Sequence, residues 1–114
     1  MDASSLSTGA IGQITLTIHQ LAESLGCAID LKDSYTQNHS MDVAAMARAI
    51  AKAMGLEADS CEMIDIAGHL HDIGKIGISD AVLKNRGKLS DEQWLEMRKH
   101  PFLGYEILKD IRVS

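Results

Sequence analysis

The stretch GHLHDIGKIGISD, residues 68–80, sets His71 beside Asp72 and follows them with Lys75, inside a run that is otherwise apolar. Imidazole, carboxylate and ammonium groups belong in water unless the interior supplies them with partners. On a helix His71 and Lys75 stand at i and i+4, and Asp72 and Lys75 at i and i+3, so the three share one edge. An imidazole and the neighbouring carboxylate can reach one divalent cation, and the carboxylate can bridge to a second. Such a nitrogen and oxygen set suits Fe, Mn or Zn better than Ca or Mg. Lys75 would then face an anion held on the metals, for which a phosphate is the natural candidate. The plainer reading is a hydrogen-bonded His–Asp pair near a helix end, with Lys75 reaching back to water.

Outward from this stretch the pattern is helical throughout. Asp59 to Glu62 has capping-box spacing and opens the helix that leads into it, with Met63, Ile66, Ala67 and Leu70 inward and a close at Gly74 or Gly77. Upstream, Val43, Ala47, Ile50 and Met54 line one face of a helix that Thr36 can cap and Gly55 ends. His39 extends that face by a turn, and there it needs a partner. Earlier still, apolar residues at 14, 18, 21, 25 and 29 form one stripe from about Gln13 to Ile29, weakened at Gly26, before the connection DLKDSYTQNH. That stripe could pack within the domain or form a homodimer seam. Residues 1–9 read as a tail or linker.

Downstream, NRGKLS is a loop, and Ser90 with Gln93 forms a second capping box that opens a helix through Trp94 and Met97. Pro101 disfavours helical geometry at His100, so a corner falls there and a last helix follows with Leu103, Ile107 and Leu108. Trp94 and the methionines fall at core spacing. His69 lies about 200° around the helix from His71, which sends it away from that site to the surface or a second layer. His19 reads as exposed or at an interface.

Composition agrees with a small helical domain. The chain has 114 residues, 46% of them hydrophobic but only 4% aromatic, with six methionines and one proline. A core of Ala, Ile, Leu and Met favours packed helices over sheets. The net charge of −5 argues against holding long nucleic acid, which needs a basic field, but not against a small phosphate ligand beside bound cations. Cys27 and Cys61 are far apart and match no metal-binding spacing, as expected of reduced thiols in a cytoplasmic protein. The longest apolar segment carries Gln13, His19, Gln20 and Glu23 and is too interrupted to span a membrane.

HLHDIGKIGISDAVLKNRGKLSDEQWLEMRKHPFLGYEIL, with YTQNHS upstream, resembles the HD-GYP family, a branch of the HD phosphohydrolases. The likeness covers about residues 31–108, and its HDIGKIGI run is highly specific. It implies an all-α helical bundle of about five helices, with residues 10–114 forming part of an HD-GYP domain. It also implies a metal-dependent phosphodiesterase that hydrolyses cyclic di-GMP through a hydroxide bridging two metal ions. Position by position, His39, His71, Asp72 and His100 match metal ligands, with Asp72 bridging. Lys75 matches the lysine that contacts substrate phosphate. The alternatives are a signalling or scaffold domain without turnover, fused to a sensor or receiver domain, and an HD enzyme for another nucleotide phosphoester.

Several positions depart from the family pattern. The paired histidine, a further aspartate and the GYP motif itself would lie beyond Ser114, so four candidate ligands come from these residues. Tyr35 stands where some members have a glutamate for a third metal, and Asp42 replaces a common arginine. Ser79 and Arg86 occupy positions where proline is usual. Lys84, Arg86 and Lys88 form a short basic loop that could guide a dinucleotide's phosphates.

Overall fold

The computed structural model describes residues 8–33 and 38–111. They form α1 (Thr8–Lys32), α2 (His39–Ala53), α3 (Ala58–Leu70), a 3₁₀ segment (Ile73–Gly77), the single-turn α4 (Asp80–Leu83), α5 (Asp91–Met97) and α6 (His100–Leu108). No strand occurs among the described residues, so the expected all-α bundle is the observed one. None of these helices is long and apolar enough to cross a membrane. Thr36 and Tyr35 lie outside the described residues, as do most of the 1–9 segment and Ser114.

The helices pack α2 on α3, α1 on both, and α6 on the 3₁₀ segment. The seams are built from small residues rather than from the large apolar ones. The buried side of α2 is Ser40, Ala44 and Ala51, and a Cβ on Gly68 of α3 would stand 2.6 Å from the Ala44 Cα. Alanine facing glycine lets the two backbones nearly touch, and close contact there yields dispersion energy along the whole seam. Gly26 does not break α1 as its helix propensity suggests. Its bare Cα fits against the His69 carbonyl, where a Cβ would come within 2.5 Å.

The large apolar residues therefore lie elsewhere than expected. On α1 the buried positions are Ala22, Gly26, Ile29 and Asp30, with Asp33 buried just past its end, while Ile14, Ile18, Leu21 and Leu25 are exposed and only Ile29 of that stripe is core. Ile50 on α2 and Met54 just after it are exposed, and on α3 so are Met63 and Ala67. Met41, Met46 and Trp94 are likewise outside the core; the Arg98 guanidinium lies 6.0 Å from the centre of the Trp94 ring. The α1 and α3 stripes do meet, but across an open cleft of about 690 Å³ that Leu21, Leu25, Met63, Leu70, Tyr105 and Leu108 help to line. The closed apolar cluster is a smaller one, Ile78, Val82 and Leu83 with Leu89, Met97 and Leu103 against it.

Of the helix ends expected from cap chemistry, some form as expected and others shift. Ser90 forms the expected capping box: its hydroxyl accepts from the Gln93 N–H at 3.2 Å and its own N–H donates to Gln93 Oε1 at 2.9 Å. The Asp59 box does not form. α3 starts at Ala58 behind Glu57, and Glu62 turns instead to His19 and Arg48. α3 also ends at Leu70, before the glycines, and the chain continues as the 3₁₀ segment. The corner expected at His100 falls at Arg98 and Lys99, and His100 opens α6 with Pro101 inside the first turn. Proline is tolerated there because the missing N–H would have had no helical partner.

Gly74 is the most tightly enclosed of the described glycines. A Cβ there would lie 1.7 Å from the His100 carbonyl oxygen and 2.5 Å from the Gly104 nitrogen, both backbone atoms. Gly74→Ala is expected to destabilise the chain by roughly 3 kcal/mol, whereas Gly12→Ala, with nothing within 4 Å, should not destabilise it. Urea unfolding of the two variants measures the difference.

Candidate metal centre

Three elements deliver the candidate side chains to one place. His39 is the first residue of α2, His71 and Asp72 form the turn after α3, and His100 is the first residue of α6. Lys75 follows one 3₁₀ turn after Asp72, closed by a bond from the Lys75 N–H to the Asp72 carbonyl at 2.9 Å. Residues at i and i+3 eclipse in a 3₁₀ helix, so the lysine and aspartate overlie each other more directly than on the α-helix expected from sequence.

Asp72 is the hub. Its Oδ2 lies 3.0 Å from His71 Nε2, 3.6 Å from His39 Nε2 and 3.1 Å from Lys75 Nζ; its Oδ1 lies 3.3 Å from His100 Nε2. His39 and His71 also approach each other, Nε2 to Nε2, at 3.2 Å. All the residues expected to share a site are thus brought together. The carboxylate is buried, while the imidazoles of His39 and His71 remain open to solvent.

The tautomers follow from hydrogen bonding. His71 Nδ1 contacts the Gly68 carbonyl at 2.7 Å and His100 Nδ1 contacts the Met97 carbonyl at 2.9 Å. A carbonyl only accepts, so each Nδ1 carries the proton. In the neutral rings both Nε2 atoms then present lone pairs toward a carboxylate that also only accepts. Such a gathering of acceptors is stable around added positive charge, either protons on the rings or a metal ion. Backbone-anchored Nδ1–H groups with free Nε2 atoms are the arrangement that orients metal-ligating histidines. His39, His71 and Asp72 place ligand atoms within 4.8 Å of one another, close enough to hold one ion.

Two groups that sequence reasoning passed over hold this arrangement. Asp33, buried at the end of α1, accepts from Lys75 Nζ at 3.0 Å. Burial works against the Lys75 charge, but the hydrogen bonds to Asp33 and Asp72 outweigh it and raise its pKa above the ordinary lysine value. Asp30, one turn earlier, accepts from both the N–H and the hydroxyl of Ser40 at 2.9 Å. That pair caps α2 from a neighbouring helix and fixes the turn that carries His39; Asn38, the residue before it, adopts a left-handed φ of 62°. Both aspartates sat in DLKDSYTQNH, read as a connection. The signal available was the i, i+3 spacing of Asp30 and Asp33 in continuation of the helix.

For two further histidines one of the two expected placements holds and the exposed one does not. His69 is not at the surface but buried, at 5% exposure, on the side of α3 away from His71. His19 is half-buried and bonded to Glu62. Cys61 is buried and Cys27 half-buried, both as free thiols.

A family model described as the HD domain matches residues 36–113. The cyclic di-GMP phosphodiesterase response regulator of Xanthomonas campestris is 37% identical over 84 residues, which are 74% of this chain and 22% of that protein. 3′3′-cGAMP-specific phosphodiesterase 2 of Vibrio cholerae is 36% identical over 92 residues, 81% of this chain and 18% of the relative. A cyclic di-GMP phosphodiesterase of Pseudomonas aeruginosa is 34% identical over 104 residues, 90% and 25% respectively. The chain spans a quarter or less of the length of these curated relatives.

The Lys75 ion cluster makes a prediction independent of any ligand. Lys75→Met would leave the buried Asp33 and Asp72 carboxylates without their shared cation. In chelator-treated protein this should cost about 3–5 kcal/mol of unfolding free energy, measured by urea denaturation.

Proposed function

The chain belongs to the HD domain family, and from that membership we propose that it forms the metal-binding part of a phosphohydrolase that opens cyclic dinucleotides. The observation that supports this most directly is the convergence of three imidazole Nε2 atoms, from three separate elements, on the two oxygens of Asp72. In this reading His39, His71, Asp72 and His100 hold Fe, Mn or Zn, a donor set of the right softness for those ions. Bound divalent metal supplies Lewis acidity, polarising the phosphoryl group and lowering the pKa of water.

The protein's own groups have distinct tasks. Asp72 offers one oxygen to His39 and His71 and the other to His100, so its carboxylate is disposed to serve two ions. Lys75, held charged and positioned by Asp33, is placed to contact the phosphate oxygens as charge builds on them. The exposed edges of His39 and His71 leave the centre open to a ligand. Relatives named for cyclic di-GMP and for 3′3′-cGAMP indicate the substrate class.

A second reading is a domain that binds metal and nucleotide without turnover; the solvent-open imidazoles of His39 and His71 suit binding as well as catalysis.

Metal content and turnover separate the readings. Loaded with Mn²⁺ or Fe²⁺, the chain should linearise cyclic di-GMP or 3′3′-cGAMP faster than it hydrolyses nucleoside monophosphates. His71→Ala and Asp72→Asn should each lower metal content and reduce turnover by about 100-fold or more. Metal bound without any product supports the binding domain, and turnover untouched by His71→Ala would sink the proposal.

A further inference from the structure

On the opposite side of α3 lies a second cluster of ligating groups, which the proposed function does not use. His19 of α1 and Asp65 and His69 of α3 each place a ligand atom within 4.8 Å of the others. Asp65 Oδ1 is 3.1 Å from His69 Nε2 and 3.8 Å from His19 Nε2, and the two rings meet edge to face with centroids 5.3 Å apart. Glu62 adds an oxygen 2.6 Å from His19 Nδ1, and Glu23 stands 3.9 Å from His19 Nε2.

Hydrogen bonds partner His19, Glu62 and Asp65 but leave one atom of His69 over. His69 is buried, and its Nδ1 has no hydrogen-bond partner. A proton on Nε2 suits Asp65 but leaves Nδ1 as a bare lone pair in the interior; a proton on Nδ1 leaves an unpaired N–H. Either tautomer costs about 1–3 kcal/mol, which an alanine or leucine at this position would avoid.

Charge points the same way. Arg48 Nη1 occupies the outer oxygens of both acids, Glu62 Oε2 at 2.7 Å and Asp65 Oδ2 at 2.9 Å. It thereby turns their other oxygens, Glu62 Oε1 and Asp65 Oδ1, toward the histidines. Three carboxylates against one guanidinium leave two negative charges around two neutral imidazoles, which a dication balances. The Arg48 side chain is 42% exposed and can swing aside as an entry path.

We infer that His19, Asp65 and His69, supported by Glu62, form a second divalent-metal site, separate from the Asp72 centre, that clips α1 to α3. Two imidazoles with carboxylate oxygens match the ligand types of four-coordinate zinc. The ion lies between helices, so it fixes α1 against the helix whose end carries His71 and Asp72.

Zinc alone is the probe. The chain is stripped with chelator, dialysed against Zn²⁺ and assayed for bound metal, with circular dichroism to report the fold. His39→Ala/His71→Ala, which disables the Asp72 centre, should retain one equivalent of zinc and gain thermal stability when it binds. Adding His19→Gln should abolish both. In the otherwise unaltered chain, His19→Gln alone should lower the stoichiometry by one equivalent; His19 is half-buried on α1, so this variant remains informative even where the double variant fails to fold. Equal zinc content in His19→Gln and the unaltered chain overturns the proposal, as does a folded His39→Ala/His71→Ala that takes up none.

Discussion

One buried carboxylate cannot face the Nε2 lone pairs of His71 and His100 without added positive charge, and the architecture around Asp72 is a way of maintaining that demand. Lys75 meets part of it, at 3.1 Å. The remainder is directed at the open side of the centre, where His39 and His71 are exposed. The backbone carbonyls of Gly68 and Met97 take the Nδ1 protons of His71 and His100 and so keep Nε2 unprotonated in the neutral rings. A cation-seeking centre results from hydrogen bonds that lie outside it.

Holding the surrounding elements at the spacing this requires falls to unusually small contacts. Gly74 brings the 3₁₀ segment against the start of α6 with no room for a methyl group, and Gly68 does the same for α3 and α2. Lys32 reinforces the arrangement by donating from the end of α1 to the Ile76 and Ile78 carbonyls, at 2.9 and 3.3 Å. Asp30 ties the first turn of α2 to α1 through Ser40, which is fully buried. Bulky side chains would push the histidines apart. The core is accordingly modest in volume, and its large apolar residues are left to the cleft and the surface.

That division explains what the sequence disclosed and what it hid. The helical class, the Ser90 capping box and the grouping of His39, His71, Asp72, Lys75 and His100 were legible, because period, cap chemistry and a specific motif each carry local signals. The buried faces of α1, α2 and α3 were legible only in part, at Ile29 and Ile66. Reading periodicity weights Ile, Leu and Met, whereas these seams select Ala, Gly and Ser for their lack of bulk. Asp30 and Asp33 were hidden for a related reason: acidic residues before a polar run read as a loop, and only their partners Ser40 and Lys75, distant in sequence, make burial tolerable. His69 escaped because geometry showed only that it points away from His71. It did not show that His19 and Asp65 wait on that side.

The two clusters are joined by the end of a single helix. His69 and His71 leave α3 on opposite sides, and the Gly68 carbonyl that orients His71 belongs to the residue whose Cα packs against Ala44. The next carbonyl, of His69, abuts Gly26 of α1. Any displacement of α1 relative to α3 must therefore disturb the seat of His69 directly and the anchor of His71 within one residue. Close-packed backbone transmits such a shift with little loss, since no flexible side chain lies between to absorb it. The geometry of the Asp72 centre is in this sense a property of the α1–α3 seam, which His19 of α1 engages at one cluster and Asp33, just past the end of α1, at the other.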